Sequence, residues 1–105
     1  MKLEENKSRI WYKVIDERGM AADNQMEDFN SYIAMDGNKG KWYESPEESG
    51  SLLVSNPEPL CKGESRAFVV ELSGSPQKES EGEIYMKKFR LVREITHAEL
   101  QRLSI

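Results

Sequence analysis

The chain predicts an α+β fold: a small, mainly antiparallel sheet of four to five strands, free to curl, with one helix at the C-terminus. Three observations carry this. Residues 66–105 hold the densest apolar patterning, beginning with two strand-like runs around a polar loop. Short apolar runs elsewhere are bounded by Gly, Pro, Asn and Asp. Thr96 and Glu99 stand at capping-box spacing, just after the last run.

In RAFVVEL (66–72), Phe68, Val70 and Leu72 share one face, and aromatic and β-branched residues suit a half-buried strand. Gly74 and Pro76 stop it. Residues 73–82 (SGSPQKESEG) are polar and predict a mobile hairpin loop. The return strand is expected over 83–95, with a bend or bulge at Lys87 and Lys88, where the pattern weakens. Thr96 then caps a helix carrying Leu100 and Leu103, and Ile95 and Leu100 have hydrophobic-staple spacing.

Upstream, residues 1–8 are charged and expected to fray. RIWYKVI (9–15) is apolar on both parities, which predicts an interior strand or one covered on both sides. Residues 16–19 form a turn, with Gly19 available for a positive φ. Met26, Phe29 and Ile33 have helical spacing, so a short helix near residue 26 is expected. Residues 36–40 (DGNKG) are a turn, KWYE (41–44) a brief strand and SLLVS (51–55) another. The two prolines of NPEPLCKG (56–63) forbid a regular helix.

At 105 residues, a single domain is expected over 1–105. Hydrophobic residues make up 37% and charged residues 32%, which predicts a small core and long loops. Cys61 is the only cysteine, so an intramolecular disulfide is excluded. No apolar run reaches bilayer length, and the first residues lack a signal-peptide core; a cytoplasmic protein without membrane contact is expected. The net charge of −4 lies wholly in residues 1–50, which argues against general nucleic-acid binding and leaves open an acidic face that docks a basic partner.

No catalytic set, phosphate loop or dinucleotide fingerprint stands out, so no cofactor or metal is expected and the reading leans away from an enzyme. His97 is the only histidine, and its plainer role is an exposed first-turn helix residue. Cys61 could act as a nucleophile only with an activated thiolate and a partner such as His97; a small buried hydrophobe is the plainer role. Tyr85, Lys87, Lys88, Phe89, Arg90 and Arg93 interleave aromatics with cations, as in some single-strand nucleic-acid sheets. Trp42 and Tyr43 are candidate interface anchors among Asp36, Glu44, Glu47 and Glu48.

The order WYKVIDERG, GKWY, NPEPLCKG, RAFVVELSG and FRLVREIT resembles an uncharacterised domain family of phage and bacterial genomes. Where that family continues from its Cys-Gly turn into a Phe/Tyr-His segment, Gly63 here leads to Glu64 and Arg66, without the histidine. The resemblance implies an origin but carries no activity. Three functions follow as expectations. The first is a non-enzymatic protein-binding module, such as a phage or mobile-element inhibitor of a host protein. Its docking face would comprise Asp36, Trp42, Tyr43, Glu44, Glu47 and Glu48. The second is a single-strand nucleic-acid binder using Tyr85, Lys87, Lys88, Phe89 and Arg90. The third is a small enzyme or ligand-binding domain using Cys61 and His97.

Overall fold

The computed structural model describes residues 9–33, 35 and 37–103. Its strands are β1 (Tyr12–Ile15), β2 (Trp42–Glu44), β3 (Ser51–Val54), β4 (Arg66–Ser73), β5 (Lys78–Ser80), β6 (Glu83–Met86) and β7 (Lys88–Glu94). They form one sheet of order β2-β7-β4-β1-β3-β6-β5. Every pairing is antiparallel. A 3₁₀ turn covers Glu58–Leu60, and helix α1 covers His97–Leu103.

The expected α+β sheet of four to five strands is therefore corrected. The fold is mostly sheet, with seven strands and one short helix. Two physical causes account for the difference. β5 spans three exposed residues of the expected mobile loop, and tertiary pairing with β6 makes it a strand with no hydrophobic signature. The expected long strand over 83–95 is two strands that part at Lys87. β7 keeps the expected pairing with β4, whereas β6 pairs with β3. The β7–β4 register also slips at Val69 and Val70, where Val92 is left as the extra residue. The expected fraying of residues 1–8 falls outside the described residues.

The break at Lys87 determines the shape. β6 and β7 stand sixth and second in the sheet order, yet only Lys87 separates them in the chain. Two residue steps reach at most about 7.6 Å. Four strand spacings in a flat sheet would need about 19 Å. The sheet must curl until the two strands meet end to end. The pairings β1–β3–β6, then β7–β4–β1, close a circuit like that of a small barrel.

Alternation then sorts side chains between two clusters. Trp11, Ile15, Phe68, Ile84, Met86, Phe89 and Leu91 fill the interior together with Phe29, Tyr43 and Leu53. Tyr12 and Val14 project from the opposite face of β1, where Val54, Ala67 and Ile95 bury them and Leu60, Leu100 and Leu103 pack alongside. The 3₁₀ turn and α1 thus cover this second face, which explains why β1 is apolar on both parities.

Among the described residues, no helix forms near residue 26. Met26 is 82% exposed, whereas Phe29 is fully buried, so the helical spacing is not used. Asx turns replace it. Asn24 Oδ1 accepts from the Met26 amide, and Asp28 Oδ1 accepts from the Asn30 amide. Such local side-chain bonds compete directly with helical ones. Phe29 enters the interior from this loop, its ring 4.3 Å from that of Tyr43.

Candidate docking edge and the buried carboxylate behind it

β2 is three residues long and lies at one end of the sheet order. On its own, so short a strand has little to hold it. The buried carboxylate of Glu27 supplies the anchor. Glu27 is 1% exposed and accepts hydrogen bonds from Tyr43 Oη (3.0 Å), Ser45 Oγ (2.8 Å) and Ser51 Oγ (2.9 Å). Lys13, equally buried, brings Nζ to 4.0 Å from Glu27 Oε1. Its ammonium donates to Asp23 Oδ1 and to the Leu52 carbonyl, each at 2.9 Å, and lies 5.6 Å from the centre of the Phe29 ring. Burial, with the Glu27 carboxylate second, pushes the Tyr43 phenol well above its ordinary value, so it stays a neutral donor. Among the described residues no buried side-chain polar atom is left without a partner. A satisfied network of this kind rigidifies what it holds.

Lys87 completes the brace from outside. Its ammonium donates to the carbonyls of Ser45 (2.7 Å) and Glu47 (3.0 Å). The Ser45 amide donates to the Lys87 carbonyl at 2.7 Å. Gly50, at φ 87°, ends the acidic loop hard against the Met86 backbone, where a Cβ would approach within 2.8 Å. The segment from Trp42 to Gly50 is thus pinned from the core, the surface and its far end.

The outward face of this segment carries the exposed side chains. Trp42 is 38% exposed, with the Arg90 guanidinium carbon 4.6 Å from its ring centre. Arg90 also holds Glu71 at 3.0 Å, and Lys39 reaches the same carboxylate oxygen at 3.0 Å. Those two bonds, Lys39 first, hold the Glu71 carboxyl below the usual range. Glu44, Glu47 and Glu48 are exposed.

The sequence-predicted sites divide accordingly. Trp42, Glu44, Glu47 and Glu48 lie exposed on one pinned segment, while Asp36 lies outside the described residues. Tyr43 is 6% exposed and cannot anchor a partner; strand alternation turns it inward to Glu27. The basic-aromatic set is also separated by alternation. Phe89 is fully buried, whereas Lys88 is exposed on the other face. Lys87 is committed to the 45–47 carbonyls and Arg90 to Trp42 and Glu71. Tyr85 is half-buried, with the Lys78 ammonium 5.7 Å from its ring centre. Phe89 cannot be a base-stacking surface in this arrangement.

No family model, curated protein or solved structure matches this chain.

Cys61 and His97 do line one small cavity of about 160 Å³, with Arg66, Glu94 and Thr96 on its wall. The cavity holds no activated thiolate. Burial, then the charge of Glu58, pushes the Cys61 thiol up, away from the reactive form. The His97 Nε2 lies 3.3 Å from the Gln101 amide nitrogen, on its own helix. Among the described residues no three His, Cys, Asp or Glu side chains are placed to hold a metal. No helix among them is long and apolar enough to cross a membrane. The residues that sequence reasoning missed are Lys13, Glu27, Ser45 and Ser51. Lys13 carried one signal, a charge on an otherwise apolar strand parity.

Proposed function

We propose that this chain is a protein-binding module that docks a basic partner on the segment from Trp42 to Glu48. The observation that carries this reading is the exposed Trp42, stacked on Arg90 and followed by three exposed carboxylates on a braced segment. A rigid aromatic at a polar rim is the composition of an interface anchor. A segment held before binding loses little entropy on association. The carboxylates steer a basic partner and select against acidic ones.

The test is a comparative capture experiment with the folded chain, Trp42→Ala, and the triple variant Glu44→Lys, Glu47→Lys, Glu48→Lys. All four positions are exposed, so circular dichroism and melting should match the parent. A protein retained by the parent and lost by about tenfold or more from both variants supports the reading. A partner that binds the parent and both variants equally overturns it.

A further inference from the structure

We infer that the partner enters as an extended, basic segment that adds an antiparallel strand to the open edge of β2. This rests on the acidic-docking reading above and specifies how that docking is made.

The register carries the argument. Ser45 donates to the Lys87 carbonyl, and Tyr43 stands opposite Phe89, two residues along. In an antiparallel ladder alternate residues bond to the same neighbour. Tyr43 and Ser45 therefore turn their backbone groups towards β7. Trp42 and Glu44 turn their amides and carbonyls the other way. Among the described residues no strand lies beyond β2. Two donors and two acceptors thus face outward from a strand that is already fixed in extended form.

The opposite end of the sheet is less suited to an added strand. β5 carries Lys78 and Glu79 at exposed positions, and edge lysines are a common guard against strand addition. β2 carries no cation. Its outward side chains are an aromatic ring and a carboxylate, both on the face away from the core. A strand added to β2 places every second side chain on that same face. One of these would lie opposite Glu44 and another opposite Trp42. Lysine or arginine satisfies both positions, by charge at Glu44 and by cation–π contact at Trp42. Glu47 and Glu48 extend the acidic field beyond the strand end. Main-chain bonds provide affinity in this mode, and alternate side chains provide specificity.

The probe is a short peptide of alternating lysine and threonine. Two derivatives separate backbone pairing from charge. One is N-methylated on the lysine nitrogens, which would face β2, and the other on the threonine nitrogens, which would face solvent. Binding is measured by titration, and amide exchange by NMR. Strand addition predicts that lysine N-methylation weakens binding about tenfold or more, while threonine N-methylation does not. It also predicts new protection of the Trp42 and Glu44 amides, with those of Tyr43 and Ser45 unchanged. Equal binding of both derivatives, or unprotected Trp42 and Glu44 amides, overturns strand addition and leaves acidic docking standing. A parent peptide that fails to bind, or binds the triple lysine variant as well as the parent chain, overturns both.

Discussion

At the scale of single residues, the decisive group is Glu27. A buried carboxylate is costly unless it is paired and hydrogen-bonded. Here three hydroxyls donate to it and Lys13 lies near. Glu27→Ala would leave Lys13 with Asp23 as its remaining acidic partner and remove the acceptor of three hydroxyl donors. A loss of about 3–5 kcal/mol is expected, measured by urea unfolding. Tyr43→Phe removes one of the three donors and keeps the ring, so a loss of about 1 kcal/mol is expected in the same assay. The two tryptophans give a further check. Trp11 is 2% exposed and Trp42 38%. In the parent chain acrylamide should quench one fluorescence component and spare the other. In Trp42→Phe only the shielded component should remain. Lys13 left an unused trace in the sequence, a charge on a strand with both parities apolar. Glu27 was not legible, because nothing in the surrounding sequence distinguishes it from the exposed acids nearby.

At the scale of elements, the C-terminal helix was readable almost to the atom. The Glu99 amide donates to Thr96 Oγ1 at 3.1 Å, and the Thr96 amide donates to Glu99 Oε1 at 3.0 Å. A capping box is purely local, so spacing suffices to predict it. Thr96→Ala should cost about 1 kcal/mol by denaturant unfolding. Arg93 also forks onto the Glu99 carboxylate, at 3.0 Å through each nitrogen. Arg93 first, then the Thr96 amide, lowers the Glu99 pKa from 4.5 to about 2. The folded value lies below the unfolded one. The stabilisation is therefore present above pH 4.5 and lost as pH falls towards 2. The packing of α1, followed by NMR shifts of Leu100 and Leu103, should loosen over that window, and Glu99→Gln should abolish the pH dependence. The 73–82 segment shows the limit of local reading. Its Gly, Ser and Pro content suits a loop, yet pairing with β6 imposes strand geometry on Lys78–Ser80.

At the scale of the whole molecule, the circuit of pairings, joined through Lys87 between β6 and β7, makes the chain one cooperative unit. No strand of that circuit can leave without exposing the common interior. Far-UV circular dichroism and tryptophan fluorescence should therefore report a single coincident transition in urea. Resolved midpoints would show that the circuit opens in stages. Closure also positions the candidate site. By joining β6 to β7 through Lys87, it brings the Lys87 ammonium to the carbonyls of the 45–47 loop. The acidic segment faces solvent on a support assembled from β1, β2, β3 and the loop that carries Glu27.

The sequence by itself determined what depends on near neighbours: the capped helix, the Gly19 turn, the two-sided burial of β1, and the acidic excess of the first half. Only the tertiary structure decided the sheet order, the parting of β6 from β7, and the burial of Tyr43 and Phe89. Phe89 shares a parity with Leu91, but Tyr43 stands between Lys41 and Ser45 on its own, and parity does not say which face is covered. Covering is set by strands distant in sequence, and a three-residue strand has too few side chains to announce its partner. The exposed Trp42 and the bonding of Glu27 became visible only when those distant elements met.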